Sequence, residues 1–214
     1  ELSSQAFRTL GVAYRRYTEA DRHEADVLDA EDESTLVYVG VVGILDPPRA
    51  EAASAVAEAR RAGIRVVMIT GDHPLSAARI AGDLGIAEPG ERAVTGAELD
   101  ELDADGLRAL TRNTSVYARV APQNKLQIIT ALQAQGNVVA MTGDGVNDAP
   151  ALKTADIGIA MGVTGTDVAR EAGSMVLLDD NFATVVRAVR EGRRIYDNLR
   201  RFIRYVLTTN SGEI

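Results

Sequence analysis

The chain has 214 residues, 46% of them hydrophobic, and a formal net charge of −8. That length and apolar content suit one large domain, or a domain with attached pieces. The acidic balance excludes a nucleic-acid surface, which needs a basic face, and the absence of cysteine excludes a disulfide framework or thiol and zinc–thiolate chemistry.

The N-terminal ELSSQAFRTL carries no signal-peptide pattern, and no run of about twenty apolar residues spans a bilayer by itself. Residues 7–17 alternate in the manner of a strand. Residues 18–35 are polar and acid-rich, a solvated helix or loop in which His23 is a surface side chain rather than a ligand. Composition shifts at Leu36, where residues 36–45 form a near-continuous β-branched run, the pattern of a buried strand. Asp46-Pro47-Pro48-Arg49 stops it, and an alanine-rich helix follows over 51–62.

A regular alternation comes next. A strand over 64–69 ends in Thr70-Gly71-Asp72, and a helix over 74–84 is stopped by Gly85. Residues 87–113 are an acidic insert with a helix near 103–111. A short strand at 115–118 ends in Arg119-Val120-Ala121-Pro122, and a helix covers 123–134. The strand at 138–141 breaks into Thr142-Gly143-Asp144-Gly145. A strand at 156–160, a helix at 165–172, a strand at 174–178 and one long helix over 181–210, capped by Asn181, complete the series. Strands alternating with helices of this length predict an α/β fold with a doubly wound parallel sheet.

The stretch 138–162 organises the rest. Acids clustered past the end of a parallel strand lie where open α/β sheets bind ligands. Glycines there let backbone N–H groups approach an anion, while carboxylates hold Mg²⁺ through oxygen. Polar groups stand at several strand ends: Asp46, Thr70-Gly71-Asp72, and Asp144 with Asn147 and Asp148, with Lys125 opening the helix after residues 119–122. Together they suit a phosphoryl group and Mg²⁺. Thr70 and Gly71 hold phosphoryl oxygens, Lys125 neutralises charge, and Asp144 binds the metal. Taken singly, Thr70 reads equally as a helix cap, Lys125 as a solvated lysine and Asp46 as an Asx-turn residue.

MTGDGVNDAPALKTADIGIAMG resembles the hinge signature of P-type cation-transporting ATPases, a branch of the haloacid dehalogenase-like superfamily. The resemblance implies a haloacid dehalogenase-like Rossmannoid fold. It matches the superfamily's hydroxyl, lysine and metal-binding acids to Thr70, Lys125, Asp144 and Asp148, and the pump motifs DPPR and TGD to residues 46–49 and 70–72. It further implies nucleotide contacts from Arg8, Arg49 and Arg119, with ATP and Mg²⁺ as cofactors. The domain division it implies is 1–38 as the remnant of a nucleotide-binding domain, 39–197 as a phosphorylation domain, and 198–214 as a stalk and the start of a transmembrane helix.

The family's phosphate-accepting aspartate lies in a DKTGT motif, which does not occur here. The expectation is therefore an excerpt of a longer pump, without its nucleophile strand, that binds Mg²⁺ and phosphate weakly and hydrolyses no ATP. Arg190, Arg193, Arg194, Arg200, Arg201 and Arg204 precede the apolar Val206-Leu207, like a stalk entering a membrane from its cytoplasmic side. Asn210 and Glu213 share a helix face and offer oxygen to a cation. The resemblance makes them ion ligands, and Gly212 favours a calcium-pump pattern over a sodium-pump one. The implied partners are the nucleotide-binding, actuator and transmembrane domains and a transported Ca²⁺, with the parent in the cell membrane and this region soluble on the cytoplasmic side. The alternative is a phosphatase-like domain, or a non-catalytic phosphate- and Mg²⁺-binding module, on the same fold.

Overall fold

The computed structural model describes residues 8–16, 36–44, 48–88 and 90–211. The chain divides into two compact units, Glu1–Pro47 and Pro48–Ile214. The first contributes an antiparallel ladder of β1 (Arg8–Tyr14) and β2 (Val37–Ile44), with a bulge at Val12/Ala13. The β-branched run of β2 is a strand as expected, but it is not buried. Consecutive residues Tyr38 and Val39 are 66% and 62% exposed, so both of its faces are open. Side-chain branching sets extended backbone; burial needs a covering layer as well.

The second unit begins with α1 (Ala52–Arg61), which buries Ala55, Val56 and Ala59. β3 (Met68–Ile69) leads to α2 (Pro74–Asp83), where Pro74 opens the helix and His73 Nδ1 caps it by accepting from the Leu75 N–H. The acidic insert holds β4 (Val94–Thr95) and α3 (Gly96–Asp100), the latter started by a reciprocal Thr95–Glu98 capping box. Both are shorter than any periodicity can reveal. α4 (Ala104–Asn113) is capped by Asp103, as its sequence suggested. β5 (Val116–Ala118) and α5 (Pro122–Gln133) follow, then β6 (Ala140–Gly143), a 3-10 turn at Val146–Asp148 and α6 (Ala149–Thr154). The series ends with β7 (Ile157–Met161), α7 (Asp167–Ala172), β8 (Met175–Leu177) and α8 (Phe182–Ser211).

The strands form two parallel half-sheets, ordered β3-β5-β4 and β6-β7-β8. Side-chain alternation covers each on both faces. In β5, Val116 and Ala118 pack on the α2 side with Ala77 and Ala81, while Tyr117 faces Leu99, Ile128 and Leu132 of α3 and α5. In β7, Ala160 meets Leu152 and Ala169 of α6 and α7, while Ile159 meets Val185 of α8. α1 and α8 pack together through Ala55, Ala59 and Val186. This is the doubly wound arrangement, with the C-terminal ends of the strands free to carry loops.

β3 and β6 each end their half-sheet. A cavity of about 640 Å³ is lined by Val67, Ile69, Ala140 and Thr142 from these two edges and by Ile128 and Val186 from the helices. Met68 and Thr70 direct their N–H groups to Ser115 and Tyr117 beside β3, so Ile69 turns its own backbone groups toward the cavity. Ile157 donates to the Val139 carbonyl, which leaves Ala140 and Thr142 facing the cavity from the other side.

Close approach of α6 to β7 depends on Gly158, where an added Cβ would stand 2.2 Å from the Leu152 carbonyl oxygen. Gly158→Ala is expected to force the two apart and lower stability by about 1–3 kcal/mol. Chemical denaturation would show this as a lower midpoint with an unchanged slope.

Candidate functional site

Three loops meet at the C-terminal ends of β3, β5 and β6. In the first, Thr70 Oγ1 accepts from the Asp72 N–H at 3.1 Å and donates to Asp72 Oδ2 at 2.9 Å, a hydroxyl-stabilised turn. Thr70 is half-buried, and Gly71 and Asp72 are exposed. The second loop holds this turn in place: the Arg119 N–H donates to the Asp72 carbonyl at 3.1 Å, and the Val120 N–H to the Thr70 carbonyl at 3.2 Å. Arg119 itself is exposed and has a φ of 50°.

That loop runs directly into α5, whose first turn carries Lys125. Buried Asn124 sets the turn. Its Oδ1 accepts from the Ala121 N–H at 2.9 Å, and its amide donates to Asp100 Oδ1 at 2.6 Å. Lys125 Nζ then reaches Asp148 Oδ1 at 2.5 Å, with the two side chains only 19% and 10% exposed. The third loop closes on the same acid: Asp148 Oδ2 accepts from the Asp144 N–H at 3.3 Å and the Gly145 N–H at 3.2 Å. One carboxylate thus fixes both the ammonium and the backbone that carries Asp144. Asp144 and Asn147 are exposed, and neither side chain has a hydrogen-bond partner among the described residues.

Lys125, Asp148 and the Asp144 loop are therefore in direct contact, and the Thr70 turn joins them through residues 119–120. The other residues singled out from the sequence lie apart or outside the description. Arg49 is exposed ahead of α1, and its carbonyl accepts from the Ala52 N–H. Asp46 and Glu213 lie outside the described residues, as do the side chains of Arg8 and Asn210.

No cluster of three or more metal-ligating His, Asp or Glu side chains occurs among the described residues. Mg²⁺ needs no such cage, since it is ordinarily held by one or two carboxylates, with water and phosphate oxygens completing its shell. The free carboxylate of Asp144 fits that requirement. Asp148 already accepts three donors, one on Oδ1 and two on Oδ2.

Pattern reading missed Asp180, just before α8, because the adjacent Asn181 already accounted for the helix start. Asn181 does cap it, accepting from the Ala183 N–H at 2.9 Å. Asp180 turns the other way, to the loop after β7. Its carboxylate accepts from the Gly162, Val163 and Thr164 N–H groups and from the Thr164 hydroxyl, at 2.7–3.0 Å. These donors, the Val163 N–H foremost, hold its pKa at about 2. A depressed carboxylate stabilises the fold above the ordinary Asp range; that contribution falls progressively below that range and is gone once pH is below about 2.

Residues 4–156 match the haloacid dehalogenase-like hydrolase family. Over its whole length the chain is similar to a calcium-transporting ATPase of Bacillus subtilis (strain 168), at 51% identity over 213 residues. It is 46% identical to an endoplasmic reticulum-type calcium-transporting ATPase 4 of Arabidopsis thaliana and 45% identical to a P-type sodium-transporting ATPase4 of Toxoplasma gondii (strain ATCC 50861 / VEG), again over all of this chain. It spans 24%, 22% and 18% of the lengths of these three relatives. Two parallel half-sheets whose loops and following helix bring a lysine, a free acid and a hydroxyl turn together, with a family match over residues 4–156, make this chain a member of the haloacid dehalogenase-like hydrolase family.

Proposed function

We propose that this chain is the phosphoryl-transfer part of an ATP-driven cation pump. The observation that carries this is the double engagement of Asp148, which holds Lys125 beside the loop of a free Asp144. In the reaction an aspartate carboxylate attacks the γ-phosphorus of ATP, the bond to the ADP oxygen breaks, and ADP leaves. Water later attacks the aspartyl-phosphate and releases phosphate, and the cycle drives transport. The Gly71 N–H donates to a phosphoryl oxygen, the Thr70 hydroxyl turns its proton from Asp72 Oδ2 to another, and Lys125 offsets the charge that grows on them. Asp144, with Asn147 beside it, holds Mg²⁺, whose chemistry is to neutralise phosphoryl oxygens. Arg49, Arg119 and Asp72, with Asp46 and Arg8, serve the nucleotide side.

The accepting aspartate has no DKTGT motif to carry it in this chain. We place it on a strand from another part of the pump, lying parallel between β3 and β6. The apolar cavity there and the inward-facing backbone groups of Ile69, Ala140 and Thr142 support this placement. Such a strand would end at the rim that carries Lys125. In this scheme residues 1–38 are the remnant of a nucleotide-binding domain, 39–197 are the phosphorylation domain, and 198–214 are a stalk and the start of a transmembrane helix. The actuator and transmembrane domains are the further partners, and the parent resides in a membrane. No helix among the described residues is long and apolar enough to cross one. The transported ion is Ca²⁺ in this proposal, with Asn210 and Glu213 as ligands; the names of the Bacillus subtilis and Arabidopsis thaliana relatives support it.

Three outcomes check the scheme. The isolated chain is expected to hydrolyse no ATP; a Mg²⁺-dependent rate abolished by Asp144→Ala would overturn the missing-nucleophile assignment. In the whole pump, Lys125→Ala is expected to slow phosphoenzyme formation from labelled ATP by about 10²–10³-fold, and an unchanged rate would remove Lys125 from the site. Amide exchange in the isolated chain is expected to be faster at Ile69, Ala140 and Thr142 than at the ladder-bonded Thr70 and Ile157, and slower at those three once the whole pump is present. Equal exchange in both contexts would leave the cavity without its strand.

A further inference from the structure

The loop after β7 touches both the metal-binding loop and the start of the longest helix. On one side the Thr166 N–H donates to the Asp144 carbonyl at 2.9 Å. On the other, the Asp180 carboxylate gathers the donors of Gly162, Val163 and Thr164. Asp180 is 9% exposed and sits at a φ of 47°. An aspartate tolerates that left-handed geometry better than most residues, but it still costs energy. Its neighbours face the opposite way: Asp179 accepts from the Thr184 hydroxyl at 2.6 Å and from the Asn181 N–H at 3.2 Å, and Asn181 caps α8. The tripeptide 179–181 is thus a rivet, with its outer residues fixed to α8 and its middle residue fixed to the loop.

We infer that Asp180 is a positioning residue for Asp144. Through the 162–166 loop it sets where the Asp144 carboxylate stands, and it makes that placement depend on the start of α8. The inference rests on the proposed role of Asp144 as the Mg²⁺ ligand. Asp144 has two backbone tethers, its N–H to Asp148 and its carbonyl to Thr166. The first comes from the Lys125 side of the rim and the second from the α8 side. Without Asp180, the Val163 and Thr164 N–H groups and the Thr164 hydroxyl lose their acceptor, and the Gly162 N–H keeps only the Leu177 carbonyl. Thr166 stays fixed to α7 as its cap, but the turn that leads to it from β7 loosens, and with it the tether to Asp144. The carboxylate would then sample several directions. A metal held by one side chain loses affinity when that side chain is not aimed, as happens when the outer partners of metal ligands are removed.

The test uses the whole pump and reads Mg²⁺ binding directly by titration calorimetry beside phosphoenzyme formation against Mg²⁺ concentration. Asp180→Asn is expected to raise the half-saturating Mg²⁺ by about 10–100-fold while the half-saturating ATP stays within a few-fold. Thr164→Val, which removes only the hydroxyl donor, is expected to raise it less and in the same direction. Asp103→Ala strips the single-bond cap from α4, away from the rim, and is expected to leave the Mg²⁺ dependence unchanged; a shift equal to that of Asp180→Asn would make the effect one of general stability and overturn the inference. A wild-type Mg²⁺ curve retained by Asp180→Asn would overturn it too. If Asp180→Asn does not fold, Thr164→Val decides: an unshifted curve sinks the inference. Loss of phosphoenzyme formation in the wild-type pump would instead sink the proposed function on which it rests.

Discussion

The site depends on the Asp148 carboxylate, whose two oxygens face different ways. One holds the Lys125 ammonium and the other holds the backbone of the Asp144 loop. Burying such a pair costs desolvation, and a pair of this kind is a poor source of net stability. What it supplies is definition. Lys125 sits on the first turn of a helix, where a long side chain has many rotamers. Asp148 selects one of them and ties the half-sheet that ends in β3 to the half-sheet that begins with β6. The two acids of GDGVND thereby take different jobs from the same chemistry. Asp148 takes three donors from the protein, whereas the exposed side chain of Asp144 takes none among the described residues.

The sequence made the order of elements legible wherever periodicity had room to show. α2, α4, α5 and α8 start within a residue or two of their expected positions, because Pro74, Asp103, Pro122 and Asn181 are strong punctuation. The rim residues Thr70, Lys125, Asp144 and Asp148 were legible for a simple reason: a parallel sheet puts every strand end on one edge. β4 and α3 were invisible because two and five residues carry no period. The burial expected for β2 failed because composition cannot say which layer covers a strand. Asp180 was illegible because its partners lie 16–18 residues back in the chain, and no local rule links an acid before one helix to a loop that precedes another.

The strain in the site has a structural counterpart. Arg119 holds a φ of 50°, which for a residue with a side chain costs about 1–3 kcal/mol. The chain must reverse between β5 and α5 while its N–H groups at 119 and 120 point back to the Thr70–Asp72 turn, and a left-handed residue makes that reversal in the space available. The reversal turns the Arg119 carbonyl toward buried Gly96, 2.6 Å from where a Cβ there would stand; Asn124 Oδ1 would lie 2.9 Å from the same atom. Only glycine fits at 96. The strained arginine, the bare glycine and the buried asparagine are one device, in which each is admissible because of the other two. Together they bring the Thr70 turn to the helix that carries Lys125. A side chain at 96 would therefore act on the rim through the β5–α5 loop, although residue 96 touches neither Thr70 nor Lys125.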